Sequence, residues 1–549
     1  MNDLIRLKEF KIMTISSLEK LLPDKTPELA ETENTCFTNE VFNYQIAYYS
    51  DNLLMLQDCR WEIVSDIVSF IKIRPVKLIP CTTPVFEDAD DYYLVKKPAL
   101  IPELLVEENA FHPGCKIWQS LFVTIKGDLP VGKHEIIVKL KDETGNELGS
   151  CTYNLTVLDG VLPETELKYT RWFHYDSLSS YYGVDVFSDD YMTIMSNYIK
   201  NAVAHGINML YVPLFTSPTN TRIGRERLTV QLIDVTYENG VYSFDFSRLK
   251  EFLRLLLDLG VRYFEFSHLY TQWGAAAAPK IIVKENGQII KKFGWDTPAL
   301  GKEYKKFISS FLPALIDFLK ENGYNENMCF FHISDEPSEN TLEHYLEINR
   351  FIKPMLGPYK VMDALSDFDF YKIGAVDIPV VTTDHIKPFI DAGVEEMMVY
   401  YCCSQGHSGL SNSFIAMPLF RTRVLGIQLY TVDSKGLLQW GYNYYNSALS
   451  EEFIDPFFVT DACGNFQSGD SFIVYPDKNG KPLDSIRHEV LFDALQDYAA
   501  LKLLEKKIGR DNVLGFIYGF GVKPNFSDYP KNAGWLIEFR KELNDLIVD

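Results

Sequence analysis

Two adjacent carboxylates, Asp335 and Glu336, lie in the run FFHISDEPSEN, directly after an apolar stretch and before a proline. Holding two anions side by side costs energy, and like-charge proximity raises the proton affinity of one member so that it stays protonated near neutral pH. Glycosidic cleavage uses such a pair: a protonated carboxyl gives its proton to the leaving oxygen, while another group supports positive charge at the anomeric carbon. The same segment would also suit a helix start with acidic residues in its first turn. Adjacent residues cannot readily flank a sugar from opposite sides, as nucleophile and acid must in a standard retaining enzyme. A substrate-assisted route removes that difficulty. There the sugar's 2-acetamido oxygen attacks the anomeric carbon, one carboxylate orients the acetamido N–H, and its neighbour serves as acid and then base.

Elements able to position such a pair follow Lys168, where apolar strands alternate with amphipathic helices, the pattern of parallel βαβ units. Strands are expected at 170–174, 207–213, 261–268, 328–334, 359–365, 377–383, 396–402 and 436–443. Helices are expected at DDYMTIMSNYIKNAVAHG, FSRLKEFLRLLLDLG, KEYKKFISSFLPALIDFLKENG and TLEHYLEINRFIKPML, with SIRHEVLFDALQDYAALKLLEKK after the last strand. Eight βα pairs over this length match a (β/α)8 TIM barrel, whereas no GxGxxG follows a strand to support a doubly wound sheet.

Catalytic groups of such barrels sit at the carboxyl ends of the strands. Those ends carry His174 and Asp176, Pro213, His268 with Gln272 and Trp273, Asp335 and Glu336, Asp363, Asp384 and His385, Tyr401 and Gln405, then Trp440, Tyr442 and Asn443. A ring of carboxylates, imidazoles, amides and aromatics suits a sugar cleft.

Upstream, from about residue 35 to 160, short alternating or apolar runs are punctuated by turn residues. LFVTI, HEIIVKL and SCTYNLTVL, separated by GDLPVG and DETGNE, read as an antiparallel meander that ends a β-sandwich. The expected organisation is a sandwich over 1–163, a linker in LDGVLPETEL, and a barrel with a C-terminal extension over 164–549. The final helix, AGWLIEFRKELNDLIVD, is expected to pack on one of the two.

At 549 residues the chain exceeds what one core usually serves, and 46% hydrophobic residues argue against disorder. A net charge of −22 disfavours nucleic acid, which needs clustered Lys and Arg. No stretch reaches the roughly 18 apolar residues of a membrane span, and the charged start lacks a leader, so a cytoplasmic setting is expected, or a secreted one if a leader was removed. Nine cysteines form no CxxC pair and read as reduced thiols, with vicinal Cys402 and Cys403 the one oddity. Histidines lack HExxH spacing, so neither a metal nor a cofactor is expected.

Beyond HISDEP, the segments RWFHYDSLSSYYGVDVFSDDY, YFEFSHLYTQWGAAAAPKI, VYYCCSQG, FRTRVLGIQLYTVDSKGLLQWGYNYYN, GDSFIVYP and SIRHEVLFDALQDYAALKLL occur in that order. In them the chain resembles glycoside hydrolase family 123 and its relatives over about residues 165–510. The resemblance implies a β-sandwich followed by a (β/α)8 barrel, and exo-acting β-N-acetylgalactosaminidase activity through an oxazolinium intermediate. By it Asp335 would orient and stabilise the acetamido group and Glu336 would be the general acid/base. His268, Gln272, Trp273, Trp440, Tyr442 and Asn443 lie in matching segments and, with His174, Asp176 and Tyr401, are the candidate substrate-binding residues by position. The implied partner is an oligosaccharide or glycoconjugate; homo-oligomerisation is left open. A β-N-acetylglucosaminidase, another β-glycosidase and a non-catalytic carbohydrate-binding protein remain the alternatives.

Overall fold

A computed structural model describes residues 10–51, 57–337 and 339–549. Eight parallel strands close into a barrel in sequence order: Lys168–Arg171, Met209–Val212, Tyr263–Phe266, Cys329–Phe331, Lys360–Leu365, Ile378–Thr382, Met398–Tyr400 and Gly436–Gln439. Seven lie within the runs expected from sequence, and the first, expected at 170–174, overlaps its run but starts two residues earlier. Short parallel strands buried on both faces need continuous apolar sequence, and all four residues of Met209–Val212 are buried.

Alternation along the strands separates two apolar layers. Trp172, Met209, Tyr211, Phe330, Met362, Ala364, Ile378, Val380, Met398, Tyr400 and Leu438 form one cluster inside the barrel. The other faces pack against helices including Asp189–Ala204, Ser247–Asp258, Lys302–Glu321, Leu342–Leu356 and Ile486–Ile508. Where Leu425–Thr431 crosses Ile486–Ile508, a Cβ at Gly426 would lie 1.8 Å from the Ala494 carbonyl oxygen, so only glycine permits that approach.

An excursion outside the expected pattern rises above the barrel. Hairpins Asp234–Glu238/Val241–Asp245 and Ile281–Glu285/Gln288–Phe293, inserted after the second and third barrel strands, join into a four-stranded sheet. Their turns are Asn239-Gly240 and Asn286-Gly287, all at positive φ, as two-residue hairpins favour.

The N-terminal region has a five-stranded antiparallel sheet in the order Phe10–Ser16, Phe42–Ser50, Trp118–Ile125, Ile71–Cys81, Ala99–Leu105. A four-stranded sheet, Glu33–Phe37, Glu147–Leu158, Gly132–Lys141, Arg60–Val64, packs on it around Tyr44, Ile46, Val123, Val138 and Tyr153, with one parallel pair at Glu33–Phe37.

This sandwich grips the loops at the carboxyl end of the barrel. Thr460 Oγ1 donates to the Pro80 carbonyl (2.7 Å), Ser468 N to the Thr83 carbonyl (2.9 Å), and Arg487 meets Glu103 at 2.6 Å. The C-terminal helix Gly534–Val548 ties both parts: Arg540 bridges Glu40 of the sandwich and Asp497 of the long helix, each at 2.7 Å. No described helix is long and apolar enough to cross a membrane, and all nine cysteines are free thiols.

Candidate active site

A cavity of about 180 Å³ opens at the carboxyl end of the barrel, lined by Trp172, Thr219, Asn220, Gln272, Trp273, Asp335, Glu336, Ala364, Tyr400, Cys402, Cys403, Leu438, Trp440 and Phe466. That is small beside the roughly 300–1,000 Å³ of typical ligand clefts and suits a single sugar ring. Asp335 and Glu336 sit just past the fourth strand, and the following helix begins only at Leu342, so the pair does not cap it.

Backbone strain holds this corner. Glu336 has φ +44°, and Trp273 and Ala275 have +57° and +56°, left-handed conformations costly for residues with a Cβ. The Trp273 amide donates to the Asp335 carbonyl oxygen at 2.9 Å, clamping the two strand-end loops together. Between them lies Gly274 at φ +113°, where a Cβ would meet Thr341 at 2.4 Å.

One layer below, charges are buried and paired. His332 lies between Asp363 (Nδ1 to Oδ1, 2.9 Å) and Glu265 (Nε2 to Oε1, 2.7 Å). Thr170 Oγ1 and Trp172 Nε1 also donate to Glu265, at 2.5 and 2.7 Å. Asp363 Oδ2 accepts the amides of Ile333 (3.2 Å) and Ser334 (3.4 Å) and the Tyr345 hydroxyl, which fixes the backbone leading into Asp335. Burial opposes charge on His332, but the hydrogen bonds to Asp363 and Glu265 prevail and push its imidazole up to about 10. It is an imidazolium at neutral pH.

Above this cation, no described residue forms an ion pair with Asp335 or Glu336. Burial, then the neighbouring charge of Glu336, holds the Asp335 carboxyl well above the usual carboxylate range, while His332 pulls it partly back. Tyr400 donates from its hydroxyl to Glu336 Oε1 at 2.7 Å. Opposite stands an aromatic wall in which Trp440 donates from Nε1 to Asp470 Oδ2 at 2.9 Å. Burial pushes Asp470 up to about 7 against that hydrogen bond and the charge of Arg171.

Of the eleven candidate catalytic and substrate-binding residues, Asp335, Glu336, Gln272, Trp273 and Trp440 meet at the cavity; the other six do not line it. Gln272 fixes the adjoining loop, accepting from the Asn220 amide and donating to the Thr221 carbonyl at 3.0 Å. His174 lies behind Trp440, its Nε2 2.8 Å from that residue's carbonyl; burial and Arg227 push the imidazole down to about 3. Asp176 pairs with Arg227 at 2.5 and 2.9 Å. His268 stacks under the site on His332 at 4.5 Å, and Tyr211 reaches its Nδ1 at 3.2 Å. Tyr401 faces away, its hydroxyl 3.3 Å from Ser413, because strand alternation gives the cavity to Tyr400. Tyr442 donates to Asn201 (2.7 Å), and Asn443 accepts the His174 amide (2.8 Å).

Sequence reasoning passed over Tyr400, Glu265 and His332. A carboxylate in the middle of an apolar strand, as in YFEF, was the available signal.

Among the described residues, two groups have the spacing of metal ligands: His268, His332 and Asp363, and His205, Asp484 and His488. Neither is a ready cation site. Both His332 nitrogens face carboxylates, and Asp484 already meets the Arg74 guanidinium at 2.8 Å, which opposes a second cation.

A closed barrel presenting two adjacent carboxylates in a ring-sized, tryptophan-walled cavity has the make-up of a glycoside hydrolase. The family model described as Glycoside hydrolase 123, catalytic domain, matches residues 172–504, and the chain belongs to glycoside hydrolase family 123. No curated protein matches it. Among solved structures, it is similar to a family 123 glycoside hydrolase from Clostridium perfringens studied for glycolipid glycan hydrolysis. The TM-score is 0.73 at 14% identity, over 98% of this chain and 97% of that one. A Bacteroides ovatus GH5 xyloglucanase matches with a TM-score of 0.27 at 8% identity, over 85% of this chain and 98% of that one. For a putative beta-galactosidase from Bacteroides fragilis the TM-score is 0.31 at 9% identity, over 85% and 59%. The first shares the whole architecture; the protein is a glycoside hydrolase and its substrate a carbohydrate.

Proposed function

We propose that this enzyme removes terminal β-linked N-acetylgalactosamine with retention, the sugar's own acetamido group acting as nucleophile. One observation carries the reading: the only carboxylates lining the cavity, among the described residues, are the adjacent Asp335 and Glu336. Direct displacement needs a carboxylate on each face of the sugar, about 5 Å apart, and an inverting enzyme needs them farther apart. The far wall here offers tryptophan, phenylalanine and thiols instead.

In the mechanism, the ring lies against Trp172, Trp273 and Trp440. Asp335 accepts the acetamido N–H and steers its carbonyl oxygen onto the anomeric carbon. Glu336 protonates the leaving oxygen, and the C–O bond breaks as the oxazolinium ring closes. Glu336 then takes a proton from water, which opens that ring and regenerates the acetamido group. Burial, then the neighbouring charge of Glu336, raises the proton affinity of Asp335. Donation from the acetamido N–H favours an ionised Asp335, so substrate binding passes the proton to Glu336, where the leaving group needs it. The Clostridium relative's glycolipid glycans suggest glycoconjugate termini as natural substrates.

The test is a panel of p-nitrophenyl β-glycosides together with a thiazoline mimic of the bicyclic intermediate. Cleavage of the N-acetylgalactosaminide and tight thiazoline inhibition are expected. Faster cleavage of the N-acetylglucosaminide revises the sugar, which then differs at the 4-hydroxyl. Cleavage of the plain β-galactoside with both acetamido sugars inert overturns substrate assistance.

A further inference from the structure

The cavity wall carries two groups that hydrolysis leaves unused. Cys402 and Cys403, the only cysteines adjacent in the sequence, follow the seventh barrel strand, and both line the cavity with Asp335 and Glu336. Each is partly buried, whereas Cys36, Cys59, Cys81 and Cys329 are fully enclosed. Their segment is pinned: the Cys402 amide donates to Gln405 Oε1 at 2.9 Å, Asn412 Nδ2 donates to the Cys402 carbonyl at 3.0 Å, and Gln405 Nε2 reaches Asp384 at 3.2 Å. Two residues earlier, Tyr400 holds Glu336. The Cys402 thiol lies 3.5 Å from Gln405 Oε1, and the neighbouring Cys403 thiol, then burial, pushes it well above the ordinary thiol range.

We propose that Cys402 and Cys403 form a dithiol site for soft, thiophilic ligands that bind two sulfurs at once, trivalent arsenicals and soft metal ions, and that filling it closes the sugar cavity. Adjacent thiols on a fixed backbone offer a chelate that separated cysteines do not, and soft centres select sulfur. Reaction with phenylarsine oxide needs no oxidant. Both S–H bonds and the As=O bond break, two As–S bonds form, one water leaves, and arsenic stays trivalent. Because both protons depart in water, raised thiol proton affinity disfavours simple thiolate chemistry without blocking condensation. The arsenic and its ring would then lie beside Trp440 and Glu336, in space a sugar needs.

Occlusion rests on this cavity being the sugar site; the chelate does not. The experiment treats the full-length protein with one equivalent of phenylarsine oxide and follows intact mass, peptide mapping and hydrolysis. Expected is a single adduct, the mass of the reagent less one water, mapping to residues 402–403, with hydrolysis lost and both changes reversed by a dithiol but not by a monothiol. Cys402→Ser and Cys403→Ser should each lose the adduct and its inhibition, every variant being compared with its own untreated rate. An adduct elsewhere, or none, overturns the dithiol site. An adduct at 402–403 with the rate intact overturns the occlusion. If no glycoside is cleaved at all, the proposed function fails while the mass and map still decide the chelate. In that event slower adduct formation with the thiazoline bound supports occlusion, and unchanged formation overturns it.

Discussion

Two constellations in this molecule use the same side-chain types for opposite ends. Beneath the cavity stand Glu265, His332 and Asp363 with Asp335 and Glu336 above them. Where the sandwich meets the barrel stand Asp484, Glu489, His205 and His488, joined by Arg74. There Arg74 meets Asp484 at 2.8 Å and Glu489 at 2.5 Å, and the two imidazoles stack at 3.8 Å. Burial opposes ionisation at both carboxylates, yet Arg74 and His205 overcome it, pushing Glu489 down to about 2 and Asp484 well below its usual range. No described arginine lines the cavity, and Asp335 moves the other way. The contrast teaches that compensation, not composition, decides which way such carboxylates shift.

The largest effect expected is on rate. Glu336→Gln should lower kcat/KM by about a thousandfold, the scale of a lost general acid, with thermal stability unchanged or raised as one of two abutting anions disappears. Kinetics with calorimetry checks it; a stability loss in place of a rate loss would merge the two constellations. Next, Arg74→Met leaves Asp484 and Glu489 buried with only His205 as a balancing charge and should cost about 3–5 kcal/mol. That is read from urea unfolding, with the rate per folded molecule kept. A slowed but stable variant would mean the interface cluster reaches the chemistry.

A pH series separates the clusters by sign. Glu489 and Asp484 have depressed values, so their stability is present above the ordinary carboxylate range and drains away as pH falls toward about 2. Asp335 is raised, so any stability linked to its proton is present below the ordinary range and is lost as pH rises through the raised value. The proton the pair must hold is lost in that same upward direction. Stability should therefore fail on the acid side, whereas hydrolysis should fail on the alkaline side and again in acid once both carboxylates are protonated; hydrolysis undiminished as pH rises through the raised value would contradict the assignment.

How much of this was legible follows the same physics. Parallel strands buried on both faces must be apolar throughout, so all eight barrel strands stood out, and with them the strand-end Asp335 and Glu336. The four-stranded excursion did not. Its strands are short and half exposed, with Ile289 77% and Val241 66% accessible, and the barrel pattern absorbed them, although Asn239-Gly240 and Asn286-Gly287 were there as hairpin turns. Position at a strand end placed Gln272, Trp273 and Trp440 on the cavity but could not say that His174 and Asp176 answer to Arg227. That partner lies 51 residues from Asp176 in the chain. One-residue alternation likewise exchanged Tyr401 for Tyr400, since both are tyrosines and only the register distinguishes them.

Tyr400 gives the smallest and sharpest test. Its hydroxyl donates to Glu336 Oε1 at 2.7 Å, a contact that orients the carboxyl lying next to the strained Glu336 backbone. A hydrogen bond to a charged group contributes about 1.5–3 kcal/mol, and in Tyr400→Phe that loss is expected mostly in the transition state, where orientation matters. Hydrolysis should fall about tenfold or somewhat more, in kcat rather than KM, while the urea midpoint stays near wild type because the ring still fills the barrel interior. Should the variant lose stability and keep kcat, the Tyr400–Glu336 contact would be a structural bond like those of Arg74, and the line between the two clusters would have to be drawn below Glu336.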